Sequence, residues 1–276
     1  MSAPTSGRPP VRDEARPAPG VLESALRRGR AAGHKLLVPY ITGGLGDDWT
    51  RVLEAVIDAG ADAVEIGIPF SDPVMDGPVI QEASQRSLQM GTTPASVLEA
   101  LRRSEGGVPL AVMTYYNIAF HMGHARFAHM LADSGVAAAI LPDLPLEEVG
   151  PWAEVATATG VETVLLAAPT APDERLVAIG AAARGFVYAV GLLGVTGERS
   201  ALADSATLIA RRCKDITDVP VLIGVGVSDA AQAAQACEVA DGVVVGSALV
   251  RRLLEGAGPA GAAAFVAELR RALDSG

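Results

Sequence analysis

Residues 64–77 read V-E-I-G-I-P-F-S-D-P-V-M-D-G, an apolar strand with one carboxylate inside it, followed by a loop that carries more. Alternation along a strand sends Ala63, Glu65 and Gly67 to one face and Val64 and Ile66 to the other. If Val64 and Ile66 face covering helices, Glu65 faces the middle of the sheet. An ionised carboxylate there costs several kcal/mol unless it is paired, so Glu65 is either half of an ion pair or a group kept for chemistry that uses a raised pKa. Neither neighbouring strand offers an obvious inward Arg or Lys, which favours the chemical reading. Between Gly67 and Pro78 lie three prolines and two glycines with Ser71, Asp72 and Asp76, the composition of a shaped loop.

Outward from this stretch the chain keeps a regular beat. Apolar β-type runs fall at 36–41, 63–66, 110–114, 138–141, 163–167, 186–190, 221–223 and 242–245, eight in all. Amphipathic stretches lie between them at 48–59, 93–103, 124–133, 147–158, 173–182, 205–216 and 229–237, with 262–273 closing the chain. Most of these begin after Asp, Thr, Pro or Ser and several end at Gly60, Gly135 or Gly160, as helix caps do. Eight strands each followed by a helix predict a closed (β/α)₈ TIM barrel, an α/β fold, with an extra N-terminal helix near Val21–Leu26 and a short helix after strand eight. A doubly wound open sheet is the competing architecture, but Thr42-Gly43-Gly44-Leu45-Gly46 lacks the glycine spacing of its nucleotide-binding turn. The connections after strands two and six are long, which places two candidate lids at one mouth.

Length and composition agree with one barrel. A chain of 276 residues suits a single large core, assigned here to 21–276, and residues 1–20, with five prolines and three arginines, predict a disordered tail. A net charge of −10 and 4% aromatic content argue against a nucleic-acid surface, and no apolar run is long enough for a membrane span. Cys213 and Cys237 have no metal or redox spacing and suit a reducing compartment, the cytoplasm.

Two glycine-rich strand ends define a ligand class. Gly224-Val225-Gly226-Val227-Ser228 follows strand seven, and Gly246-Ser247 precedes the short helix after strand eight. Glycine admits an anion close to backbone N–H groups and a helix start adds unpaired donors, so these loops predict a phosphate site, with Thr196-Gly197 closing it from the strand-six loop. Turn-forming alone is the plainer reading of the same glycines. Imine chemistry is excluded on position, because Lys35 precedes strand one and Lys214 lies late in a helix. His121, His124 and His129 do not share a helix face and read as solvated or capping residues, so no metal site is expected. Acid–base catalysis on a phosphorylated substrate remains, with Glu65 and Asp76, eleven residues apart, as the working pair.

The run V-E-I-G-I-P-F-S-D-P-V-M-D-G-P closely resembles the signature of the tryptophan synthase alpha chain family. The resemblance continues through Tyr115-Tyr116-Asn117, Leu141-Pro142-Asp143-Leu144-Pro145, Gly194-Val195-Thr196-Gly197, Gly224–Ser228 and Gly246-Ser247, and spans about Val21 to Leu273. It implies cleavage of indole-3-glycerol phosphate to indole and glyceraldehyde 3-phosphate, a lyase step of tryptophan biosynthesis. It implies Glu65 and Asp76 as catalytic residues and Tyr188 as a substrate-positioning residue, for which a core aromatic is the plainer alternative. The phosphate residues it implies are Gly197, Gly224, Gly226, Gly246 and Ser247. It further implies an α₂β₂ assembly with a beta chain that carries pyridoxal phosphate, this chain holding no cofactor itself, with Pro69 and Asp72 at the partner. Departures from the family pattern are Val225 for a common phenylalanine, Met75 for a frequent alanine, and Gly191-Leu192-Leu193 for a more polar stretch. A stand-alone lyase that releases free indole, and a barrel that binds a phosphorylated ligand without turnover, are the alternative readings.

Overall fold

In the computed structural model, which describes residues 17–104, 106–191, 199–224 and 226–275, eight parallel strands close into a barrel in sequence order. They are β1 (Leu36–Thr42), β2 (Val64–Gly67), β3 (Leu110–Met113), β4 (Val136–Ile140), β5 (Glu162–Ala167), β6 (Val187–Ala189), β7 (Val221–Ile223) and β8 (Gly242–Val245). Closure is direct, since Leu36 to Pro39 of β1 pair with Gly242 to Val245 of β8. Each run expected from the sequence is a strand, with ends displaced by at most two residues.

Side-chain alternation divides the core in two. Val64 and Ile66 pack outward with helix residues such as Val52, Leu53, Val97 and Leu101. Ala63, Val38, Ala111, Ile140, Val164, Phe186, Leu222 and Val244 fill the interior. The lower end is plugged by α1 (Val21–Ala31), whose Leu22 and Leu26 join that interior cluster and are fully buried. The Glu162 carboxylate holds the start of α1, accepting from Leu22 N at 2.6 Å and Glu23 N at 3.1 Å, where first-turn amides have no intrahelical partner.

The outer helices are α2 (Trp49–Asp58), α3 (Pro78–Gln89), α4 (Pro94–Arg103), α5 (Tyr116–Met122), α6 (His124–Asp133), α7 (Gly150–Ala158), α8 (Asp173–Ala182), α9 (Arg199–Lys214), α10 (Ala230–Cys237), α11 (Ser247–Leu254) and α12 (Gly258–Asp274). Thr93 and Asp229 cap their helices by side-chain bonds to Ser96 N and Gln232 N, whereas Asp48 makes no such bond. Gly60, Gly135 and Gly160 follow helix ends with φ of +103°, +73° and +78°, the left-handed turn expected of them.

Five features depart from what the sequence predicts. The helix expected at 205–216 starts six residues earlier, at Arg199 of α9, inside the stretch expected as the strand-six loop. The stretch after strand two is not all loop, because Pro78 opens α3, whose Val79, Ile80 and Ala83 are buried. A short helix, α5, precedes α6. The stretch 147–158 divides into a 3₁₀ turn, Leu146–Glu148, and α7, because Pro151 has no N–H with which to continue a helix from Glu147. Finally, α12 starts four residues earlier than the apolar pattern, with Pro259 in its first turn. Among the described residues no helix is long and apolar enough to cross a membrane.

Candidate active site

At the C-terminal ends of the strands lies a cavity of about 340 Å³. Glu65, Asp76, Tyr188, Gly224, Gly226, Gly246 and Ser247 all line it, so the ends of four strands, β2, β6, β7 and β8, meet at one mouth. Its apolar walls include Met113, Ile140, Pro142, Leu166, Val190 and Val244. Of the expected site residues, Gly197 lies outside the described residues, as do Thr196 and Val225.

Glu65 stands between Tyr40 of β1 and Ala111 of β3 in strand register and faces inward. It is 0% exposed, and neither carboxylate oxygen has a hydrogen-bond partner. Burial and the nearby Asp76 push its pKa up to about 8. The Tyr188 hydroxyl is the nearby dipole that partly offsets this, without reaching the geometry of a formed hydrogen bond.

Asp76 sits on the turn that follows β2. Burial raises its pKa to about 6, opposed by a hydrogen bond from Tyr115 Oη to Oδ2 at 3.2 Å. The same hydroxyl accepts from Met75 N at 2.8 Å, and the Tyr115 ring stacks on Phe70 at 4.9 Å between centroids. Tyr115 has a single hydroxyl proton, and giving it to Oδ2 leaves Oδ1 of Asp76 without that donor. Tyr115 belongs to the Tyr115-Tyr116-Asn117 motif, and the sequence assigns it no role. Its signal was present as a polar aromatic just past the end of a strand.

Three glycines expected to approach an anion have different physical grounds. Gly226 has φ of +87°, a conformation that side chains disfavour. Gly224 makes room for an aromatic ring, because a Cβ there would lie 1.9 Å from Tyr188 Cε1. A Cβ on Gly246 would meet Tyr40 Cβ at an ordinary 3.5 Å, and Gly246 caps α11 at its N-terminus. The open first-turn amides and positive dipole end of α11 therefore meet the cavity at Gly246 and Ser247. Gly67 repeats the logic of Gly224, as a Cβ there would lie 1.9 Å from Tyr40 Oη. Tyr40, buried and lining the cavity, is a second aromatic hydroxyl absent from the sequence reading.

The remaining candidates lie away from this chemistry. Lys35 Nζ donates to Cys237 O at 2.5 Å and Lys214 Nζ to Asp241 Oδ1 at 2.5 Å, both near strand starts at the opposite end of the barrel. His121 and His129 are exposed, and His124 lies 2.9 Å from Tyr116 Oη with its ring edge-on to Trp152. Asp72 is exposed and accepts from Ser71 Oγ at 2.6 Å, while Pro69 is buried within the chain and helps to shape the loop.

A buried acid, a second acid on a turn, and a helix N-terminus at one apolar cavity suit acid–base work on a ligand with an apolar part and an anionic part. The family model for the tryptophan synthase alpha chain matches residues 26–273. The tryptophan synthase alpha chain of Streptomyces coelicolor is 44% identical over 259 residues, covering 91% of this chain and 94% of that one. That of Streptomyces avermitilis is 42% identical over 264 residues, covering 93% and 95%. Among solved structures, Mycobacterium tuberculosis tryptophan synthase superposes with a TM-score of 0.85 at 37% identity, over 93% of this chain and 99% of that one. The Legionella pneumophila alpha subunit gives 0.83 at 30%, over 94% and 100%. The barrel, the cavity and these likenesses agree, and the chain belongs to the tryptophan synthase alpha chain family.

Proposed function

We propose that Glu65 and Asp76 carry out the family's lyase half-reaction, cleavage of indole-3-glycerol phosphate, by taking opposite protonation states at neutral pH. The observation that carries this reading is the unpaired, fully buried carboxyl of Glu65 in the same cavity as Asp76. With pKa values of about 8 and about 6, Glu65 is mainly protonated and Asp76 mainly ionised between those limits. Glu65 therefore acts first as an acid and gives its proton to C3 of the indole ring. Positive charge develops at the ring nitrogen, where the Asp76 carboxylate accepts the N–H hydrogen bond. The Glu65 carboxylate then removes the proton of the glycerol hydroxyl on the carbon bonded to C3. The O–H electron pair becomes the aldehyde C=O, and the breaking C–C pair returns to the ring. Indole and glyceraldehyde 3-phosphate leave, and Glu65 has regained its proton. Tyr188 orients the Glu65 carboxyl, and the amides around Gly224, Gly226, Gly246 and Ser247, with Gly197, hold the phosphate.

In this reading the chain works with a pyridoxal-phosphate beta chain that receives the indole. The exposed Asp72 and Val74 on the loop that carries Asp76 suit a partner seated on the mouth. Steady-state indole release, with and without a beta chain, tests the whole assignment. Slow release accelerated by the partner supports the subunit, fast release alone makes the chain a stand-alone lyase, and no release in either case overturns the enzyme reading.

A further inference from the structure

Asp76 rides on a segment with open space on both sides. Met75, Asp76 and Gly77 wall the cavity, while Phe70, Ser71 and Pro73 wall a separate cleft of about 590 Å³ against α3. Val74 is 81% exposed, so the turn has little apolar anchorage of its own. Within the turn, Asp76 N donates to Pro73 O at 3.0 Å. From outside it, two side chains reach in. Tyr115 holds the Met75 amide and the Asp76 carboxylate from the barrel side. Gln81, in the first turn of α3, reaches from the helix side. Its Nε2 donates to Asp76 O at 2.8 Å and approaches Pro73 O at 3.5 Å, the two carbonyls that bracket the turn.

We propose that Gln81 is a positioning residue for the lyase reaction, tying the Asp76-bearing turn to α3 so that the Asp76 carboxylate is presented to the cavity. Gln81 touches neither the cavity nor the reacting atoms. With Tyr115 gripping the side chain of Asp76 and Gln81 its main-chain carbonyl, the residue is held at both ends. Without the amide, the turn is free to relax into the cleft behind it. Displacements of about 1 Å in a catalytic group have large kinetic consequences. An exposed hydrogen bond contributes modestly, which translates here into a kcat about three- to tenfold lower.

This inference rests on Asp76 being the second acid, so the experiment includes Asp76→Asn. Gln81→Ala and Gln81→Met, which nearly keeps the length but removes both N–H donors without adding a charge, are compared with the unaltered full-length chain by kcat, KM and the pH dependence of kcat. The titratable groups that face Asp76 are Glu65 on β2, Tyr40 on β1, Tyr188 on β6 and Tyr115 beyond β3. All of them are retained in both Gln81 variants. A loosened turn alters both the burial that raises the Asp76 pKa and the Tyr115 hydrogen bond that lowers it, so the acidic limb, near pH 6 in the unaltered chain, is displaced. The expected result is that displaced limb, with kcat reduced and KM within about twofold. Gln81 is exposed, and a role confined to supporting α3 lowers thermal stability without moving the limb. An inactive Asp76→Asn with an unmoved limb in both Gln81 variants overturns this inference alone. Normal turnover in Asp76→Asn overturns the assignment of Asp76, and this inference with it.

Discussion

Replacing Glu65 by glutamine separates two consequences of one buried carboxyl. Its folded-state pKa of about 8 lies above the ordinary value of 4.5, so between those limits the folded chain binds a proton that the unfolded chain has released. The stability contributed by that proton is fully present below about pH 4.5 and is lost as pH rises towards 8. Linkage over this shift gives a loss of ~1 kcal/mol by pH 5 and ~4 kcal/mol by pH 8. Glutamine has no such titration. The stability of Glu65→Gln relative to the unaltered protein should therefore improve by ~3 kcal/mol between pH 5 and pH 8, whatever the constant difference between the two side chains. Urea unfolding followed by circular dichroism at pH 5, 6.5 and 8 measures this directly. Indole release by the same variant should fall by about 10²- to 10⁴-fold, the usual range for a lost acid–base group. A stability difference that stays flat across this range would refute the buried, unpaired carboxyl. Near-native turnover would remove Glu65 from the mechanism.

Gly224→Ala drives a methyl group to 1.9 Å from Tyr188 Cε1 and 2.6 Å from Tyr188 Oη, so the ring must move. Thermal unfolding should show a loss of ~1–3 kcal/mol, typical of overpacking, and kcat should fall more than KM rises as the hydroxyl leaves Glu65. Ser247→Asp sets a carboxylate at the first position of α11, where in the proposed site it would compete with the substrate phosphate for the same amides. KM should rise by about tenfold or more with kcat little changed, and an unaltered KM would remove α11 from the phosphate site. Glu162→Gln weakens the charged acceptor for Leu22 N and Glu23 N at the start of α1. The urea midpoint should drop by an amount equivalent to ~1 kcal/mol, with turnover per folded molecule unchanged, because this cap lies at the end of the barrel away from the cavity.

The barrel and the inward carboxyl were legible from the residues alone. Both follow from periodicity, since a residue's face within a strand depends only on its place in the alternation. Val64 and Ile66 could not face helices without Glu65 facing the interior. The glycine-rich strand ends were legible for the same local reason. What Asp76 does in space was not legible, because a turn of Pro, Val, Met and Asp has no period to read. That Tyr115, thirty-nine residues on, and Gln81 hold that turn from opposite sides emerges only once the chain is folded. Only the folded barrel shows that Gly224 and Gly67 leave room for the rings of Tyr188 and Tyr40. Apart from Gln81, five residues from Asp76, these contacts join residues on different strands or on the loops after them, set by how eight strands stagger around one axis, and no single stretch of chain contains that information.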